Sequence, residues 1–265
     1  MRGYGEIAER LRRSTVQIFN ADANSQGSGI IWSAAGLILT NSHVIRSPQP
    51  DVQLWDGRRL RARIVSRDPR RDLASLRIDA ADLPAATAGD SQAVSPGQLV
   101  LAVGNPMGFA GALSTGVVHS VGTMPGMGNQ TWIRAGVRLA PGNSGGPLAD
   151  AEGRVIGINT AVAAGLGLAV PSQSALEFLR RGPAPSLGVV LRPVDLGLLL
   201  LEVNAGGAAA HAGLRDGDIL LTRHDALLTA LDSGREILKL HFLRGDRRRV
   251  REAVVKLGAR VEAAA

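Results

Sequence analysis

Short apolar runs, separated by glycine, proline, aspartate or asparagine, fill the chain as far as Pro171. Thr15-Val16-Gln17-Ile18-Phe19 has the alternation of a half-buried strand. Residues 29–32 and 37–40 are apolar runs joined by Ser33-Ala34-Ala35-Gly36, the pattern of a hairpin in which Gly36 supplies a positive φ. Between the first two strands, residues 20–29 read as a polar loop. Further strands are expected over 52–55, 60–65, 73–78, 99–103, 114–121, 131–137, 155–159 and 166–170. About a dozen short strands at this spacing predict an all-β barrel or sandwich. Helical spacing is seen at Ile7-Ala8-Glu9-Arg10-Leu11 and over 172–181, where Ser172 is the expected N-cap and Leu176 and Leu179 share a face. The run Arg181-Gly182-Pro183-Ala184-Pro185-Ser186 reads as a linker, and strand-like and helix-like pieces then alternate to Leu257.

A length of 265 residues suits one large domain or two ordinary ones, and 45% hydrophobic content allows a sizeable core. Cysteine is absent, which excludes disulfides and thiolate metal sites. The formal charge of +7 is carried almost wholly by arginine, since Lys239 and Lys256 are the only lysines. The arginines are scattered and aromatics make up only 3%, so stacking platforms are scarce and no nucleic-acid partner is expected. No stretch approaches the length of a membrane span. Residues 1–13 lack the apolar stretch of a signal peptide, which leaves a cytoplasmic protein or one whose export segment has been removed.

The chemistry is concentrated in Ala140-Pro141-Gly142-Asn143-Ser144-Gly145-Gly146-Pro147-Leu148. Three glycines and two prolines disfavour helix and strand interior, and suit a tight loop whose N–H groups converge on a point. Acyl chemistry needs such donors beside an exposed hydroxyl. Ser144 then requires a base, and the base an orienting carboxylate. Of the five histidines, His43 lies where the apolar run 37–40 emerges; His119 sits within a strand pattern, and His211, His224 and His241 follow the linker. In Asp68-Pro69-Arg70-Arg71-Asp72-Leu73-Ala74, Asp68 reads as a solvated turn residue, whereas Asp72 opens an apolar run that would bury its carboxylate. The chain order His43, Asp72, Ser144 is that of the chymotrypsin fold, not of subtilisin or the α/β-hydrolases.

On these residues the chain resembles the HtrA/Deg serine proteases. The matching motifs are Thr40-Asn41-Ser42-His43-Val44, Asp72-Leu73-Ala74, Gly104-Asn105-Pro106-Met107-Gly108, Gly142-Asn143-Ser144-Gly145-Gly146-Pro147 and Gly167-Leu168-Ala169-Val170-Pro171. Leu187-Gly188-Val189-Val190 and the segment 208–220 resemble the PDZ domain of that family. The resemblance implies a mainly β fold: a chymotrypsin-like double six-stranded β-barrel followed by a small α+β PDZ-like domain. The domains are expected at 1–182 and 187–258, with a linker at 183–186 and a tail at 259–265.

The family reading implies an ATP-independent serine endopeptidase acting on misfolded or unstructured proteins, without cofactor or metal. Ser144 would be the nucleophile, His43 the base and Asp72 its orienter, with Gly142 and Ser144 N–H groups forming the oxyanion hole. Leu139 and Leu168 would line the substrate pocket. Leu187, Gly188 and Val189 would hold the C-terminal carboxylate of a peptide ligand. A homotrimer through the N-terminal segment, with Tyr4 as an anchor, and a periplasmic or otherwise exported setting also follow from the resemblance. Two departures stand out. Gly136 replaces the acidic residue common upstream of the nucleophile loop, and the segment before an abbreviated helix at 226–231 is shortened. The competing expectation is a peptide-holding protein on a protease fold that does not cut.

Overall fold

The computed structural model describes residues 4–20, 25–124, 130–181, 185–233 and 235–257, which divide into two compact units, one ending at residue 181 and one beginning at 185. Residues 183 and 184 of the linker expected at 183–186 and all of the tail expected at 259–265 lie outside the described residues.

The first unit opens with α1 (Gly5–Ser14), followed by β1 (Thr15–Asn20), β2 (Ser25–Ser33), β3 (Leu37–Thr40), β4 (Asp51–Gln53), β5 (Arg59–Arg61), β6 (Arg63–Asp68) and β7 (Leu73–Arg77). These strands pair in the order β5-β4-β1-β2-β3-β7-β6. The two ends of that order are consecutive in the chain and separated only by Ala62, whose N–H donates to Pro50 O at 2.9 Å. One strand bent at Ala62 therefore closes the sheet on itself, so seven segments make a six-stranded barrel. The bend is also why the single strand expected over 60–65 is two. The loop expected over 20–29 is mostly strand, because β2 pairs with β1 from Asn20↔Ser25 onwards. Its glycines mark close packing: a Cβ at Gly27 would meet Val44, and one at Gly29 would meet Ile38.

The second half adds β8 (Leu99–Gly104), β9 (Ala112–Gly122), β10 (Trp132–Ala135), β11 (Pro147–Asp150), β12 (Val155–Ala163), β13 (Leu166–Pro171) and α2 (Ser172–Arg181). The six strands form a closed barrel in the order β10-β13-β12-β11-β8-β9. Each barrel has its own core, around Ile18, Ile31, Ile38 and Leu76 in one and Val100, Ile133, Leu148 and Ile156 in the other. A third cluster draws Ile30 and Leu39 from the first barrel, Leu101, Val103 and Ile158 from the second, and Leu11 of α1 and Phe178 of α2. That shared cluster fixes the two barrels against each other. In α2 the buried face is Ala175 and Phe178; Leu176 points outward, and the Ser172 hydroxyl donates to Gly89 O instead of capping the helix.

The second unit is a five-stranded antiparallel sheet of β14 (Val189–Val194), β15 (Gly197–Val203), β16 (Ile219–Leu220), β17 (Ile237–Arg244) and β18 (Asp246–Lys256) in chain order. Helices α3 (Ala208–His211) and α4 (His224–Asp232) accompany it. Leu198, Leu220, Leu227, Leu240 and Val255 are among the side chains of its separate core. The helix expected at 226–231 is longer, at nine residues, with Leu227 and Leu231 packed inward.

Candidate active site

β3 ends at Thr40, and the chain then turns through a single 3-10 turn, Ser42–Val44, that carries His43. Asn41 is buried, and its Nδ2 donates to Asp72 O at 2.9 Å, tying this turn to the start of β7. Asp72 lies at φ 53°, a left-handed conformation that aspartate tolerates better than most residues. Its Oδ1 accepts the backbone N–H of His43 at 3.0 Å, and its Oδ2 lies 2.8 Å from His43 Nδ1. A carboxylate there places the imidazole proton on Nδ1 and leaves Nε2 as an acceptor. Thr160, at the end of the buried part of β12, donates its hydroxyl to the same Oδ2. The sequence reading missed Thr160; its only signal was a hydroxyl closing the apolar run 155–159.

Asp68, expected to be solvated, is buried instead, 1% exposed, and its Oδ1 accepts the N–H groups of Arg70 and Arg71. It shapes the turn that delivers Asp72. Arg67, one residue earlier, grips the histidine turn through Nε to Ser42 Oγ at 2.9 Å and Nη2 to Ser42 O at 3.0 Å. The end of β6 thus braces both His43 and Asp72.

Ser144 comes from the second barrel, in the loop before β11. The first barrel reaches into that loop: Ser28 N–H donates to Ser144 O at 2.8 Å and Ser28 Oγ to Gly142 O at 2.6 Å. Gly145, at φ 89°, faces Ser28 O and Thr40 Oγ1 so closely that no side chain fits, and Gly142, at φ 105°, is similarly pressed against Asn105 O. Within the loop the N–H groups of Asn143, Gly145 and Gly146 each find a carbonyl. Those of Gly142 and Ser144 have no acceptor among the described residues. The Ser144 hydroxyl donates to Thr160 O at 2.8 Å, not to the imidazole.

Leu139 is half-buried and lies over Gly167, whose missing side chain leaves it room. Leu168, next along β13, is 1% exposed and packs into the shared cluster with Trp132 and Val170. Successive side chains of a strand face opposite ways, so the structure does not bring Leu139 and Leu168 to one wall. In the second unit, Leu187 is buried, Gly188 has φ 71°, and Val189 is half-buried at the start of β14. Among the described residues β14 pairs only with β15, and its other edge has no strand partner there.

A family model described as a trypsin-like peptidase domain matches residues 27–158. A DegP-like protein of Pseudomonas fluorescens, named as a periplasmic serine endoprotease, is 37% identical over 227 residues, covering 76% of this chain and 48% of the relative. A protein of the same name from Halomonas elongata is 36% identical over 226 residues, with the same coverage. The chain therefore spans about half the length of the curated relatives it matches. Among solved structures, an HtrA-type protease, AlgW, with a tripeptide superposes with a TM-score of 0.69 at 29% identity, over 97% of both chains. A serine endoprotease from Yersinia pestis gives a TM-score of 0.68 at 27% identity, over 97% of this chain and 98% of that one.

Proposed function

Because this chain belongs to the HtrA/Deg family of serine proteases, we propose that it is an ATP-independent endopeptidase cutting misfolded or unstructured proteins with Ser144, His43 and Asp72. The observation that carries this reading is the His43 Nδ1 to Asp72 Oδ2 contact of 2.8 Å beside a serine loop with two unclaimed N–H groups. Ser144 Oγ attacks the scissile carbonyl carbon and its proton passes to His43 Nε2. The charge that develops on the carbonyl oxygen is met by the N–H groups of Gly142 and Ser144. His43 then gives the proton to the leaving amine, and water repeats the cycle on the acyl-enzyme. Asp72 holds the imidazole in the required tautomer.

The hydroxyl bond to Thr160 O supports a resting state in which Ser144 must rotate about χ1 before it can react. It also favours the second reading, a peptide-holding protein that does not cut. A fluorophosphonate probe separates the two. Labelling of the parent that is lost in Ser144→Ala supports the enzyme; a parent left unlabelled in the presence of peptide substrate supports the holding protein.

The rest of the assignment follows the family. Residues 1–182 serve as the protease domain and 187–258 as a PDZ-like domain, in which Leu187, Gly188 and Val189 receive a C-terminal carboxylate and β14 pairs with the peptide. The relatives' names support a periplasmic setting. Leu139, over Gly167, is the uncharged wall of the acyl-side pocket, so small or medium aliphatic residues are expected before the cut. Mass-spectrometric mapping of cuts in an unfolded protein checks this, and a majority after Lys or Arg overturns it.

A further inference from the structure

Met107 and Phe109 are 69% and 67% exposed, the highest values for large apolar side chains among the described residues. Their backbone is nevertheless tightly held. Met107 N–H donates to Pro141 O at 3.1 Å and Phe109 N–H to Pro106 O at 2.8 Å. Asn105, 4% exposed, anchors the turn through Nδ2 to Val16 O and through Oδ1, which accepts Gly111 N–H, both at 2.9 Å. Met107 itself sits at φ 49°, a conformation costly for a side chain of its size. A rigid turn that spends strain to present two apolar side chains to water needs something to cover them.

Its place says what. Pro141, which accepts from Met107, precedes Gly142, and a Cβ at Gly108 would lie 4.0 Å from Gln26 Nε2 on β2. The turn therefore stands between the nucleophile loop and β2. β2 pairs with β3 only from Ile30 onward, so beyond the Ser28 bond to Ser144 its edge at residues 25–27 has no backbone partner among the described residues. From the other barrel, β12 runs past its last β11 partner, Ile158; beyond Thr160, whose carbonyl accepts the Ser144 hydroxyl, residues 161–163 have no strand partner on that side among the described residues. Two such edges thus lead to Ser144. Val162 on the β12 edge pairs with Gly167, over which Leu139 lies; with Leu139 as the acyl-side wall proposed above, that edge takes the acyl half and leaves the β2 edge for the residues after the cut.

Resting on Ser144 as nucleophile, we propose that Met107 and Phe109, beside the open edge of β2, form the leaving-group-side subsites and select apolar residues there. An extended polypeptide pairing with that edge places alternate side chains over the turn.

Acyl transfer reads this site directly. The full chain is given a peptidyl p-nitrophenyl ester, and the acyl-enzyme is offered glycyl-glycine, leucyl-glycine or glycyl-leucine amide in competition with water. The amine nitrogen bonds to the acyl carbon as the Ser144 Oγ–C bond breaks, and the amine proton passes through His43 to Oγ. The better leucine-containing amide should be captured about five-fold more efficiently than glycyl-glycine amide. In Met107→Ser/Phe109→Ser the ratio should fall close to one, and Phe109→Leu should keep most of it. Because the ratio is taken within each enzyme, slower acylation of a variant does not enter. A parent without preference, or a double variant that retains it, overturns the proposal. An unchanged ratio with altered light scattering assigns the pair to a contact between copies and overturns it equally. An ester whose turnover is not lost in Ser144→Ala sinks the triad itself, and the subsites with it.

Discussion

At the scale of single residues, the proposed triad is held by groups outside it. Asp72 accepts His43 N–H, contacts His43 Nδ1 and accepts the Thr160 hydroxyl, so its two oxygens are aimed before any substrate arrives. Pre-aimed carboxylates cost nothing to reorganise during proton transfer. Asp72→Asn keeps the shape but turns one oxygen into a donor. Facing an amide N–H, Nδ1 becomes the acceptor and the ring proton moves to Nε2, where it blocks the proton of Ser144. Turnover of a chromogenic peptide is expected to fall on the order of 10⁴-fold, with an unchanged circular dichroism spectrum. Activity within ten-fold of the parent would rule out Asp72 as the orienting group. Gly145 and Gly142 matter differently, since their bare backbones let the loop lie against Ser28 and Asn105.

At the scale of elements, the chain is most readable where burial alternates along a strand and least where contacts are made far off in sequence. The strands at 15–19, 37–40, 99–103 and 166–170 emerged from periodicity because each has a core face. β2 was read short at its start because Gly27 and Gly29 look like loop; only their packing on Val44 and Ile38 explains them. Asp68 looked solvated because its acceptors' partners, the N–H groups of Arg70 and Arg71, exist only once the turn has formed. His43, Asp72 and Ser144 can be nominated from chain order and loop chemistry, and the His43–Asp72 contact agrees with that choice, whereas the placing of Thr160 and Leu168 depends on which way a strand faces. The second unit holds a similar distant tie. Asp218, 1% exposed, accepts Arg215 N–H at 2.8 Å and both Arg244 Nε and Nη2 at 2.7 Å, and this bonding raises the Arg244 pKa above its ordinary value. Arg244→Met would leave a buried carboxylate without its cation. Breaking a fully buried pair costs about 3–5 kcal/mol, but Arg244 is 28% exposed, so about 2 kcal/mol is expected. Urea unfolding followed by circular dichroism measures it, and a loss under about 0.5 kcal/mol means the pair is structurally idle.

At the scale of the molecule, two proposals concern assembly and cooperation. Tyr4 is the only tyrosine and is 43% exposed at the start of α1, while the same helix buries Leu11 in the shared cluster. A rigidly mounted aromatic in water is suited to anchor a neighbouring copy. Light scattering should give a trimer for the parent and a smaller species for Tyr4→Ala; a monomer in both rules this out. The second proposal is that the second unit, acting as the PDZ-like domain proposed above, helps the proposed protease handle long chains. Its core is its own, and among the described residues β14 has an unpaired edge behind Leu187, Gly188 and Val189. Edge pairing supplies backbone hydrogen bonds whatever the ligand's sequence, and the half-buried Val189 and Leu191 add selectivity for apolar side chains. Such a site raises the local concentration of any substrate long enough to reach both it and Ser144. A short chromogenic peptide cannot engage both. Removing residues after Arg181 should therefore lower kcat/KM on unfolded casein severalfold more than on the short peptide. Equal losses on both substrates would mean that the unit acts on the catalytic residues or on folding and does not capture chains.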